Sequence, residues 1–262
     1  MTPGDKQLGD ILAIVVEQLD PTWLLIVFCR IGGCLMMAPG IGGAIIPVRI
    51  RLACAIATSV AVAPIVPSGV NVRSDVHVLL LLQLCISELV IGICIGLLGR
   101  AFLSMLEFLG TVASIGVGLA NPFGLVLEQG EILAPLATFV SFAAVAAIFA
   151  ADLHLQILVG LIESYAIMPV SGAFDAGRLL DGLVGAVSHA ARLALRVFSP
   201  FIMYSVIINF TICLINRLTP QVAIFYISTP FIIAGAFWIL QVAAAGLVGD
   251  FITDFGNWLS RG

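Results

Sequence analysis

The sequence predicts an all-α, polytopic, membrane-associated fold with kinked and broken helices, and three observations carry that prediction. Apolar residues make up 61% of the chain and charged residues only 10%, with a mean hydropathy of +1.19. A water-soluble domain needs roughly a quarter to a third of its surface charged, so most of these apolar side chains have no aqueous destination. Apolar runs close to the roughly 20 residues that a bilayer core demands recur along the chain. Finally, Pro64, Pro135, Pro200 and Pro230 stand inside those runs, where each removes a backbone donor and invites a kink.

The first run, Trp23 to Ala38, is closed by "PGIGGAIIP", and the second, Leu52 to Val66, by "PSGVNVRSD". Val76 to Gly99 is the cleanest span. Ala101 to Leu119 is loosened by Gly110, Gly116 and Gly118 and ends at "ANPFG", so Arg100 is expected at a joint between two helices. Ile132 to Ala151 is rich in small residues that let a neighbouring backbone approach. Leu153 to Met168 follows, shorter and carrying His154 and Glu163. After the polar connection "PVSGAFDAGRLLDG" come Leu193 to Ile215 and Val222 to Val248. The expectation is six firm helices and up to two shorter or broken ones, with Gly92 and Gly96 in "GICIG" marking a tight helix contact.

A net charge of -4 with eleven scattered Lys and Arg gives no basic stripe, which excludes nucleic acid as a partner. "MTPGDKQLGD" lacks the basic region and short apolar core of a cleavable signal. The six cysteines lie in apolar runs without a CxxC pair and read as small buried hydrophobes. His77, His154 and His189 are isolated, so no metal site or cofactor is expected. Ser114 has no general base by any sequence pattern, and HExxH and GxSx steps are missing. The chain does not read as an enzyme.

Arg30, Glu88, Glu107 and Glu163 interrupt apolar segments, where an unpaired charge costs on the order of 3 kcal/mol or more. They are candidate intramembrane ion pairs, with Arg100 the expected partner of Glu88 or Glu107. A proton or ion relay is the functional alternative. In "NRLTPQ", Asn216 is expected to end one helix, with Arg217 favoured by the dipole at that helix end. Thr219 is expected to cap the next helix, Pro220 to fit its first turn, and Pro230 to break it early.

An Asn-Arg, two residues, then Pro-Gln before an apolar run ending in proline resembles the FliR family of flagellar type III export-gate subunits. Here these are Asn216, Arg217, Pro220, Gln221 and Pro230. "APGIGGAIIPVRIRLACAIA", with Pro39, Pro47, Arg49 and Arg51, is similar to the family's first connection. "LEFLGTVASIGVGLANPFG" is similar to its central Glu and Gly-rich segment, and "IESYAIMPVSG" to its Ser-aromatic-Pro-Gly ending. The resemblance covers roughly Pro39 to Phe237. Asn121 stands where the family has aspartate, which keeps the turn chemistry and removes a charge.

The resemblance implies a helical-hairpin subunit that joins the P and Q subunits in a channel passing unfolded flagellar rod, hook and filament proteins across the bacterial inner membrane, at the flagellar basal body. The B and A export subunits are further expected partners. It implies P-like helices over 1–181 and a Q-like hairpin over 187–250, with "NRLTPQ" at the tip and Asn216, Arg217, Pro220 and Gln221 as candidate subunit contacts. It also implies a plug over 110–124, with Gly110, Ile115, Gly116, Val117, Gly118, Leu119, Asn121, Pro122 and Phe123 as candidate residues. Glycines there give hinge freedom and the apolar side chains a stopper; close helix packing is the competing reading of the same glycines. The alternatives are a small-solute or ion transporter using Glu88, Glu107 and Glu163, an injectisome export-gate subunit, and a scaffold.

Overall fold

Long apolar stretches with few helix-stopping residues give long helices, and the computed structural model shows how far each one runs. It describes residues 21–43, 46–66, 78–119, 134–170, 176–219, 221 and 224–259. The helices are α1 (Pro21–Met37), α2 (Val48–Val62), α3 (Val78–Gly116), α4 (Pro135–Ala150), α5 (Leu153–Ile167), α6 (Ala176–Leu218) and α7 (Ile224–Leu259). Among the described residues there is no strand. Among the described residues, three helices are long and apolar enough to cross a membrane: α3, α6 from Gly177, and α7 between Ile227 and Ala244. The bent pair α4 and α5 makes a fourth if it counts as one broken span. The chain is a polytopic helical membrane protein.

Several boundaries differ from expectation. The two runs expected to meet at Arg100 form one helix of 39 residues, α3, with Arg100 in its interior. Nothing in the local sequence stops the helix there, and Arg100 reaches solvent from it. α6 begins at Ala176, inside what reads as a polar connection, and runs 43 residues through Pro200. Pro200 leaves the Arg196 carbonyl without its helical donor, and the Ser199 hydroxyl donates to that oxygen at 3.0 Å. Pro230 likewise lies inside α7 rather than ending it. Pro135 opens α4, where its missing N–H is no loss, and Pro64 falls in the turn after α2. The break between α4 and α5 comes at Ala151–Asp152, where Asp152 adopts φ 55.

The described residues fall into two compact units. The first holds the residues up to Arg100 with 154–184. In its core Trp23, Ile26, Val27 and Ile31 of α1 meet Ala55 and Val62 of α2 and Leu161 and Tyr165 of α5. The Trp23 indole donates to the Ala63 carbonyl at 3.3 Å, satisfying its one polar atom in an apolar core. The connection between α1 and α2 turns at Gly40, φ 80, and is tied by Arg51, which donates to the carbonyls of Ile46 at 3.0 Å and Gly42 at 3.4 Å.

The second unit holds 101–153 with the residues from Gly185 onward. Small residues let its helices close up: a Cβ on Gly110 of α3 would lie 2.7 Å from the Ala137 Cα of α4 and 2.9 Å from the Phe198 ring of α6. Phe102 of α3 packs edge-on against Phe255 of α7, with ring centroids 4.9 Å apart. The Arg196 guanidinium donates to Asp254 at 3.1 Å, linking α6 to α7 at an exposed position.

Candidate functional site

The polar groups that an apolar helix must satisfy gather in one place in the first unit. Arg30 of α1 and Glu88 of α3 are 0% and 1% exposed, and they meet in a bidentate pair. The Arg30 Nε donates to Glu88 Oε2 at 2.5 Å and Nη2 to Oε1 at 2.8 Å. α5 supplies the rest. Nη1 donates to the Ser164 hydroxyl at 3.2 Å and Nη2 to the Met168 carbonyl at 2.9 Å. That carbonyl lies just past the end of α5, so the cation caps a helix C-terminus, where it is electrostatically favoured. The guanidinium also stacks 3.9 Å from the centre of the Tyr165 ring, a cation–π contact strengthened by desolvation. Ser164 in turn donates to Leu161 at 2.6 Å.

Glycines bring these helices within reach. A Cβ on Gly92 would collide with the Arg30 carbonyl, and one on Gly96 would lie 2.6 Å from the Cys34 carbonyl. From α1, a Cβ on Gly33 would lie 2.8 Å from the Leu89 carbonyl. The arrangement is a closed, charge-balanced tie among α1, α3 and α5 that shows almost nothing to solvent.

The other charged positions behave differently. Glu88 belongs to Arg30, so Arg100 is not its partner; the Arg100 Nη1 instead points at the Gly42 carbonyl, 3.5 Å away. Glu107 and Glu163 are exposed, and neither has an ion pair among the described residues. Among those residues, no three His, Cys, Asp or Glu side chains gather where they could hold a metal ion.

In the second unit, α3 ends at the root of the glycine-rich segment. Leu119 N–H donates to the Ser114 carbonyl at 2.8 Å and Gly118 N–H to that of Ile115 at 3.0 Å. With Gly118 at φ 74, this is a Schellman ending. The Asn209 amide of α6 donates to the freed Gly116 carbonyl at 2.8 Å. Val117, 1% exposed, packs on Ile232 and Ala236 of α7, with Leu119 against the same cluster. Gly110 and Gly116 therefore serve close packing here, and Ile115 is exposed. Asn121, Pro122 and Phe123 lie outside the described residues.

Between α6 and α7, Asn216 and Arg217 occupy the last turn of α6 and are exposed, as is Gln221. The Thr219 hydroxyl donates back to the Ile215 carbonyl at 3.0 Å, closing α6 rather than capping α7. Pro220 lies outside the described residues. Ser164 and Tyr165 stand in the quoted Ser-aromatic-Pro-Gly ending, but they were not expected as partners of Arg30, because 134 positions separate Ser164 from it.

Comparison with known proteins gives a consistent set of similarities. The family model described as bacterial export proteins, family 1, matches residues 22–257. The chain is 29% identical over 228 residues to the flagellar biosynthetic protein FliR of Caulobacter vibrioides, covering 85% of this chain and 88% of that protein. It is 26% identical over 211 residues to the protein of the same name from Aquifex aeolicus, covering 79% of each. To that of Escherichia coli K12 it is 24% identical over 216 residues, covering 80% of each.

Proposed function

The chain belongs to the bacterial export proteins, family 1, and from that premise we propose that it is the R-type subunit of the flagellar export gate. As a family member with FliR relatives it is a membrane component of the flagellar export apparatus. In the proposed reading it assembles with P and Q subunits around a channel for unfolded rod, hook and filament proteins, in the inner membrane at the basal body. The B and A export subunits dock on that assembly, and the proton gradient and partner proteins supply the energy.

The observation that carries the assembly is the length of exposed apolar surface. On α6, exposed apolar side chains run from Leu180 to Leu218, about 57 Å along a helix rising 1.5 Å per residue. On α3 they form two groups, Val78 to Leu89 and Phe108 to Ile115, whose far ends are about 55 Å apart by the same rise. A hydrocarbon core is only about 30 Å thick, and a tilt of 40° still leaves more than 10 Å beyond it on each helix. Lipid cannot cover the remainder, so protein must. Neighbouring hairpins of other subunits supply that cover.

Within this reading, Asn216, Arg217, Pro220 and Gln221 form the hairpin tip that contacts neighbouring subunits. Arg217→Ala is expected to lower secretion of flagellar proteins into culture medium at least tenfold. Wild-type secretion and assembly would remove the tip assignment. The segment 110–124 closes the idle channel, with its root fixed by Gly118, Val117 and the Asn209 amide. Polar substitution of Ile115 and Leu119 is expected to raise ion leakage through the assembled gate in planar bilayers. Unchanged conductance would leave these residues with packing alone.

A further inference from the structure

The contacts that bring α1 and α3 together also fix their register. Gly92 faces the Arg30 carbonyl and Gly96 the Cys34 carbonyl, so a step of four residues on one helix matches four on the other. The two helices therefore run side by side in the same direction. Gly33 touches Leu89, and one turn earlier on both helices stand Cys29 and Cys85. Both residues are half-buried rather than sealed.

We propose that Cys29 and Cys85 are an oxidisable dithiol that closes into a disulfide joining α1 to α3. A disulfide needs Cα atoms about 4.4–6.8 Å apart with Cβ atoms facing. Backbones close enough for a Gly33 Cβ to press on the Leu89 carbonyl supply that approach. The oxidant is a disulfide compound. One cysteine attacks it and forms a mixed disulfide, releasing one thiol; the second cysteine displaces the other thiol. The protein loses two protons and two electrons, and the oxidant is reduced to two thiols. Half-burial makes closure slower than reaction at exposed Cys54 and Cys213. The bond would lie beside the Arg30–Glu88 tie, since Cys29 adjoins Arg30 and Cys85 is three residues before Glu88. The inference is independent of the export reading.

The test uses the full chain in mild detergent, with Cys54→Ser and Cys213→Ser to remove the exposed thiols. Diamide is added, an azo compound that takes up the same two electrons and two protons. Free thiols are then alkylated and the digest is mapped without reduction. A linked Cys29–Cys85 peptide pair is expected in most of the protein, lost on reduction and absent from Cys29→Ser. If the double variant does not accumulate, the wild-type chain gives the same readout, because mapping identifies the partners. Both cysteines recovered alkylated, or joined to other cysteines, would overturn the proposal.

Discussion

Glu88→Ala is expected to destabilise the folded subunit by about 3–5 kcal/mol, the range for removing one partner of a buried ion pair. The loss is that large because Arg30 stays behind, 0% exposed, with its carboxylate gone and the Ser164 hydroxyl, the Met168 carbonyl and the Tyr165 ring left to receive it. None carries a full charge. Arg30→Ala is expected to have a similar effect, stranding the Glu88 carboxylate and leaving the end of α5 uncapped. Arg30→Lys keeps the charge but loses the fork and the ring stacking, and should fall between. The Arg30→Met, Glu88→Leu double variant should recover much of the stability, since it leaves no buried charge. The readouts are chain abundance in membranes and the thermal aggregation midpoint in mild detergent. Wild-type behaviour of Glu88→Ala would show that the pair ties nothing together.

Gly92→Ala carries the second large effect, from a single methyl group. That carbon would overlap the Arg30 carbonyl, a backbone atom that no rotamer change moves aside. α1 and α3 must separate, and separation also stretches the Arg30–Glu88 bonds. Overpacking costs typically 1–3 kcal/mol and occasionally more; with the pair strained as well, Gly92→Ala belongs at the upper end. Gly160→Ala is the matching control. Gly160 lies in α5, and a methyl group there would meet nothing within 4 Å, so alanine should stabilise that helix by about 0.5–1 kcal/mol through propensity alone. Equal melting behaviour of the two variants would contradict the close α1–α3 approach.

The fold class was legible in the sequence because it rests on composition and run length, which are local. The helix bounds were less so. Arg100 and Pro230 both read as boundaries, but one charged residue can reach solvent from a helix interior. A proline there is tolerated where its freed carbonyl finds another donor, as Ser199 supplies after Pro200. The Arg30–Glu88 pair could not be read from spacing, since 58 positions separate the partners. One signal did point to it. Glu88, Gly92 and Gly96 recur every four residues, so the glycine face that invites another helix also carries the carboxylate. In the glycine-rich segment the sequence left hinge and packing open, because both use the same residues; Gly110 and Gly116 are placed by neighbours on α4 and α6 that no local pattern names.

Native mass spectrometry of the C-terminally tagged chain, extracted from its own host in mild detergent, tests the export-gate reading most directly. Recovery with two other small polytopic chains in a fixed multi-subunit ratio is expected. Recovery of the chain alone, or as a symmetric homo-oligomer, would contradict that reading.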